Sequence, residues 1–536
     1  NLISKTTTRM DLDSIWHDLG QYGKYQFINN ILLGLAICFS ATSSMSYVFT
    51  AGDLDYRCRI PDCDNVEGRL EFLPQWLRFA VPFKSEAEEV PAKCDRFVTA
   101  PDFQDDLNVI DACPSARFRT NETERCSHWV FKDTENTILK EFDLMCDNNR
   151  WKLTLVGTVN NIGQFVGLPI GGMISDAYGR RFLMVTGTLL SAMFGIMRAF
   201  STNYIMFLVF EFLDAVASTG LELVGPSKRV LSSTILSCFF PIGEVLMGLV
   251  MWWLQDWRSF LLAVYLPGLF FVSYFWITPE SIRWLAMKNR YKEVVSIIRS
   301  IEIANDKKLS ENLENKLDLL PLDNRTIPDI TEIVSILAKM FLDEIIILNY
   351  LWILFQDDQY FRFYGLSLNA TDIAGNKYLN YIAVSCAELP AFIGTYFLMD
   401  RVGRRPAQSL SLSVCGLVCI AFAFVPAENF AGNLHLFLIG KLMITMSFTI
   451  IYVFTIEMFP TELRHSLLGT CSMLGRFGSM IAPQTPLLAT YFGTYVPVLL
   501  FGTVSLTSGA LAMLFPETLN QKLPDTVEDA KNMDKK

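Results

Sequence analysis

An arginine stands well inside an apolar run of this 536-residue chain: Arg476, in Gly475-Arg476-Phe477-Gly478. Its guanidinium keeps its charge at physiological pH, and its planar fork matches a carboxylate. The chemistry this suggests is binding an anion or the acidic end of a zwitterion, with a structural ion pair as the competing role. Glu388, in Cys386-Ala387-Glu388-Leu389-Pro390, Glu244, and the pair Glu211 and Asp214 stand in similar surroundings and are candidates to meet a cation. A packing hydrogen bond beside the Pro390 kink is the alternative for Glu388. Ionisable groups inside such segments are costly, and each needs a partner. Lys441 reads as snorkelling to a membrane interface. Aromatic faces attract quaternary ammonium groups by about 0.5–2 kcal/mol each, and Tyr350, Trp352, Tyr364, Phe448 and Tyr452 are candidates for that contact. With 13% aromatics in the chain, packing competes with recognition at each of them.

A second constellation occurs twice. Gly172-x-x-x-Asp176-x-x-Gly179-Arg180-Arg181 is echoed by Asp400-Arg401-x-Gly403-Arg404-Arg405. Glu222 and Arg229 are spaced as Glu457 and Arg464 are, and Pro279-Glu280 is matched by Pro516-Glu517. Glycine allows a tight turn between two apolar runs, and the arginines suit carboxylates at neighbouring helix ends. Two matched clusters in one order are expected to act as a latch that opens and closes one end of the molecule, beyond a simple topology signal. The Glu222-to-Glu457 spacing exceeds the Asp176-to-Asp400 spacing by about three helical turns, which leads us to expect a short fourth apolar run.

The elements that must position these residues follow from composition. The chain is 51% hydrophobic and 19% charged, with 41 phenylalanines and a mean hydropathy of +0.30. Soluble domains carry about a quarter charged residues, so lipid is the main solvent here. A net charge of -10 argues against nucleic acid, which needs clustered basic surface. Four histidines, no nucleotide-binding loop and no metal cluster point away from an enzyme, a catalytic residue or a cofactor. A span needs roughly 20 apolar residues, and twelve such runs are legible: 27–50, 153–174, 182–200, 204–224, 230–254, 260–277, 345–364, 379–399, 407–425, 434–459, 467–492 and 496–515. The seventh is interrupted by Gln356-Asp357-Asp358-Gln359, so it either lines a cavity or is broken as a helix.

Basic residues in the short connections set orientation and place both termini in the cytoplasm. The expected organisation is a cytoplasmic start (1–26), a six-helix half (27–277) with an outer loop (51–150), a cytoplasmic linker (278–344), a second six-helix half (345–515) and a tail (516–536). Six of the twelve cysteines, Cys58, Cys63, Cys94, Cys113, Cys126 and Cys146, fall in the outer loop. An even exterior set reads as three disulfides with fifteen possible pairings, against a competing reading of unpaired or metal-binding thiols. Asn121-Glu-Thr and Asn369-Ala-Thr are exterior glycosylation sequons, whereas Asn324-Arg-Thr falls inside.

The Gly-x-x-x-Asp-x-x-Gly-Arg-Arg loop resembles the hallmark of the major facilitator superfamily. Three further features resemble its organic cation, anion and zwitterion transporters, solute carrier family 22. They are the cysteine-rich outer loop, Glu457-Met-Phe-Pro460-Thr461-Glu-Leu-Arg464, and the tail from Pro516-Glu517-Thr518 to Asp529. Tyr364-Gly-Leu-Ser with Gly375-Asn-Lys looks most like the insect members. The resemblance implies an all-α membrane protein of the twelve-helix major facilitator fold, moving small organic ions across the plasma membrane by alternating access, without a cofactor. It implies a cavity lined by the seventh and tenth spans, and an arginine where Glu211 stands. Arginine at position 476 resembles members that take organic anions or carnitine. A member that has lost transport, through the short fourth span and polar seventh, is the alternative.

Overall fold

Lipid satisfies no backbone polar group, so a buried span must close its own hydrogen bonds as a helix, and the long apolar runs do so. The computed structural model describes residues 23–61, 63–64, 71–83, 90–100, 113–219, 230–307, 346–373, 375–426, 429–458, 464–493, 495–519, 521 and 524. The principal helices are α1 (Lys24–Met45), α2 (Asp147–Tyr178), α3 (Arg180–Ala199), α4 (Tyr204–Ser218), α5 (Phe239–Leu254), α6 (Trp257–Tyr265), α7 (Ile346–Asn369), α8 (Lys377–Val402), α9 (Arg404–Phe422), α10 (Phe430–Met458), α11 (Arg464–Ile481) and α12 (Tyr495–Ala512). Eight segments among the described residues are long and apolar enough to cross a membrane. α2, α4, α7 and α11 fall outside that group. They carry the polar side chains that later prove to meet at the centre.

Two helices depart from a simple reading of the runs. The sixth run is not one α-helix: α6 gives way to a 3-10 stretch, Leu266–Ser273, with Pro267 at its start, where proline removes a donor. The seventh run is unbroken, because α7 passes through Gln356 to Gln359 as continuous helix. The end of the fourth run, 220–224, the connection 225–229 and the linker 308–345 lie outside the described residues, and with them the place where the fourth span was expected to end short. Two small helices, Ile282–Met287 and Tyr291–Asn305, follow the first half.

Contacts divide the helices into two groups. α2 packs on α4, α3 on α4 and α5 on α1, while α9 packs on α12 and α10, and α7 on α11. The groups meet along α5 with α8 and along α2 with α11. Glycine makes the α7–α11 approach possible: a Cβ at Gly478 would collide with the Asp357 carbonyl, and one at Gly475 would lie 2.6 Å from the Tyr360 ring. The two glycines thus press Arg476, between them, against α7.

Between α1 and α2 lies a small stapled domain. Strands β1 (Tyr56–Cys58), β2 (Asp95–Thr99), β3 (Phe118–Arg125) and β4 (Trp129–Phe131) form two antiparallel pairs, β1 with β4 and β2 with β3. Of the fifteen pairings, the structure forms Cys58–Cys126, Cys63–Cys113 and Cys94–Cys146. Buried Arg57 organises the interior, donating to Asp64 at 2.8 and 2.9 Å and to the carbonyls of Cys58, Glu71 and Phe72. The Tyr56 hydroxyl accepts from the Cys146 backbone N–H at 2.9 Å, and desolvation pushes its pKa up to about 12. Asn121 is exposed on β3. Asn369 corrects the second sequon: its side chain is buried at the end of α7 and donates to the Gly365 carbonyl at 2.7 Å and to Thr485 at 3.0 Å, leaving nothing for a glycan to reach.

Candidate functional site

Arg476 is buried where the two groups of helices meet. Its guanidinium donates to Gln164 of α2 and to the Tyr364 hydroxyl at 3.5 Å, and lies 5.2 Å over the Tyr360 ring. The aromatic residues form one continuous surface beside it. Tyr360 stacks on Tyr364 at 6.2 Å, Phe448 packs against Phe363, Tyr360 and Tyr452, and the Tyr360 and Tyr452 hydroxyls bond to each other. Tyr364, Phe448, Tyr452 and Arg476 are therefore brought together. Trp352 and Tyr350 stand in the first turns of α7, and their side chains lie outside the described residues. Tyr360 and Phe363 were missed from the sequence; Tyr360 sits four positions before Tyr364, one helical turn away, and Phe363 is the residue next to Tyr364 in the chain.

A second cluster lies nearby. Glu388 and Lys441 pair at 2.8 Å, both fully buried. Lys441 also donates to Ser367 at 2.6 Å and to the Phe363 carbonyl at 3.5 Å, with its ammonium 3.6 Å from the Phe363 ring centre. The snorkelling expected of Lys441 is corrected: a carboxylate and a ring inside the bundle hold it more favourably than a stretched chain to the interface. Glu244 of α5 approaches this pair, with Ser385 beside it.

A third cluster braces the first half. Arg198 of α3 pairs with Glu211 and stands 3.8 Å from Asp214. It donates to Ser46 at 2.8 Å and to the Tyr265 hydroxyl at 3.0 Å. Asp214 accepts from Ser43, Ser191 and Tyr265, and Glu211 from Asn160 at 2.7 Å. Gln164 donates to Asn160 at 2.8 Å, so bonds run without a gap from Arg476 to Arg198. The arginine that the resemblance led us to expect in α4 is thus replaced by one from α3. Arg198 was not singled out from the sequence, where it stands near the end of an apolar run.

Gln356, Asp358, Gln359 and Arg362 in the polar part of α7 find partners inside the bundle. Gln356 donates to Thr455 and Gln359 to the Ile444 carbonyl, while Arg362 pairs with Asp358 and donates to Ser505. Ser508 donates to Asp358. These residues face α10 and α12, which is why the helix survives them.

At the far end from the stapled domain, the two repeated loops are built alike. Gly179 and Gly403 turn at φ +107 and +100, a region open to glycine. Glu280 accepts from the backbone of Arg180 and Arg181, and Glu517 from that of Arg404 and Arg405. Each carboxylate thus caps a helix N-terminus, where negative charge is favoured. Glu517 was legible only as a repeat of Glu280. Arg180 pairs with exposed Asp176 at 3.0 Å. Arg404 pairs with Glu457 at 3.0 Å and with Asp400 at 3.7 Å. Gly172 faces open space and Arg401 is exposed. Glu222 and Arg229, and the side chain of Arg464, lie outside the described residues. Among the described residues the bonds of each cluster stay within one group of helices, forming two staples where a latch across the groups was expected.

The groups are joined at the opposite end. Thr154 donates to Gln484 at 2.9 Å, Gln484 to Thr158 at 2.8 Å, and Lys377 pairs with Glu135. Phe49 packs on Tyr378 and Tyr381 at 5.8 and 4.9 Å. The site is therefore closed beneath the stapled domain.

Comparison with known proteins agrees with this geometry. Residues 149–483 match the Major Facilitator Superfamily. The chain is 30% identical to "Organic cation transporter protein" of Drosophila melanogaster, over 98% of this chain and 96% of that protein. It is 28% identical to "Organic cation/carnitine transporter 2" of Mus musculus, over 97% and 93%. Among solved structures, it is similar in fold to the inward-open xylose transporter XylE from E. coli, with a TM-score of 0.54 and 16% identity over 74% of this chain and 93% of that one.

Proposed function

The chain belongs to the major facilitator superfamily, in the branch of solute carrier family 22, and is a multi-pass membrane transporter rather than an enzyme; we propose that it carries small organic cations or zwitterions such as carnitine, and organic anions as the remaining class, across the plasma membrane. The observation that carries this reading is Arg476 beside the surface of Tyr360, Tyr364, Phe448 and Tyr452. A carboxylate would meet the guanidinium by charge-assisted bonds, and a quaternary ammonium would lie over the rings. One molecule carrying both groups uses both features. Substrate access would alternate as the two six-helix halves rock about this site, each kept rigid at its cytoplasmic end by Glu280 with the Arg180 loop and by Glu517 with the Arg404 loop. Both termini would be cytoplasmic, twelve spans would cross the membrane, and exposed Asn121 would carry a glycan. The alternative, a member without transport, is not favoured by near-full-length similarity to transporters.

The test is uptake of labelled carnitine, tetraethylammonium and a dicarboxylate in cells expressing the chain, with surface biotinylation to confirm arrival. Saturable uptake of carnitine that is lost in Arg476→Ala at equal surface level is the expected result. Uptake of none of the three at normal surface level would overturn the reading.

A further inference from the structure

Glu244 sits in a cluster whose charges do not balance. It belongs to α5 of the first half, and everything facing it with a charge or titratable group comes from elsewhere: Tyr47 from the turn after α1, Tyr381 and Glu388 from α8, and Lys441 from α10. Tyr265, on the neighbouring α6, is committed to Asp214. The cluster thus holds two carboxylates and one ammonium. An ammonium has three protons to donate, and those of Lys441 are directed at Glu388, Ser367 and the Phe363 carbonyl. Glu244 is 1% exposed. Ser385 lies beside its carboxylate but donates to the Tyr381 carbonyl at 3.0 Å, and Oε1 has no hydrogen-bond partner. The Tyr381 hydroxyl, also 1% exposed, has none either.

A buried carboxylate with an unfilled oxygen is costly, and neutralisation is its cheapest remedy. A metal cation fits this place poorly, because the ammonium of Lys441 already occupies the cation position against Glu388. A proton needs neither ligand number nor room. Moreover, the cluster is assembled from both halves, so rocking them would part Glu244 from Ser385, Glu388 and Lys441 and change what surrounds its carboxylate.

We propose that Glu244 is a coupling site that takes up one proton when the halves close around it and releases that proton when they part. The step is a simple transfer: hydronium reaches the cluster, an O–H bond forms at Oε1 and water leaves, and the reverse occurs on opening. The coupling part of this proposal rests on the transport reading above, whereas the protonation part stands without it.

The full chain reconstituted in liposomes separates the two. Infrared difference spectra between acid and alkaline pH, recorded without substrate, should show a carboxyl protonation signal that is lost in Glu244→Gln and kept, displaced, in Glu244→Asp. Both variants should elute as the parent does in size-exclusion chromatography. Full retention of that signal in a folded Glu244→Gln protein would overturn the proposal. A pH dye trapped inside the liposomes then reads protons moved per carnitine, a ratio independent of rate. The parent should show a proton movement that Glu244→Gln loses; an unchanged ratio would overturn the coupling role. Absence of carnitine movement in the parent would instead count against the transport reading and leave the infrared result to decide the protonation site.

Discussion

Two clusters of like composition lie in this membrane protein, and they are bonded differently. Arg198 with Glu211 and Asp214 has two carboxylates to one cation, as Lys441 with Glu244 and Glu388 does. Around Asp214, Ser43, Ser191 and Tyr265 all donate, and Asn160 donates to Glu211. Hydrogen bonds to the charged form stabilise it, so this cluster is a fixed brace inside one half. Glu211 Oε2 and the Glu388 oxygens also lack hydrogen bonds but are held by ion pairs, to Arg198 and Lys441; in the second cluster, which spans both halves, Glu244 Oε1 is unfilled and Glu244 forms no ion pair among the described residues. The difference teaches that the count of charges does not decide whether a buried site is rigid or responsive. What decides it is how many donors stay with it when the halves move.

The largest expected effect comes from breaking the brace. Arg198→Ala leaves two uncompensated carboxylates, and losing one partner of a buried ion pair costs about 3–5 kcal/mol. The variant should fail to accumulate as a monodisperse protein in detergent; normal yield and unchanged thermal unfolding would make the brace a misreading. Gln164→Ala should cost less, because it removes the link between the brace and Arg476 without unpairing a charge. An unmet donor costs about 1–3 kcal/mol, so carnitine uptake should need a higher substrate concentration at similar surface level. An unaltered concentration dependence would separate Arg476 from the network. Asp176→Asn should matter least, since exposed ion pairs contribute about 0.2–1 kcal/mol and Asp176 is 72% exposed as a side chain. Its thermal unfolding should stay close to that of the parent, and a large drop would give the Arg180 staple more weight than its geometry does.

These differences bear on what could be read from the residues alone. The membrane class, the repeated loops, an arginine inside an apolar run at 476 and the even set of six cysteines between the first two helices were legible because composition and spacing carry them directly. Pairing of the cysteines was not, since all fifteen arrangements satisfy the same spacing. Arg198 was passed over and Lys441 was read as interfacial, because a buried cation and an interfacial one look alike until the facing helix is known. The polar run of α7 was ambiguous because its partners, Thr455, Ser505 and Ser508, come from distant spans and are individually unremarked. Asn369 has a valid sequon, and only packing against Thr485 removes it from reach.

The central claim is that the halves part and rejoin at the end beneath the stapled domain. It is tested most directly by joining them there. Thr154 and Gln484 hydrogen-bond across the two halves at 2.9 Å, so cysteines at both positions, in a background lacking the six free cysteines, should form a disulfide on oxidation. The account predicts that carnitine uptake stops when this bond forms, returns on reduction, and is unaffected by oxidation of either single variant. Undiminished uptake by the fully cross-linked protein would contradict it.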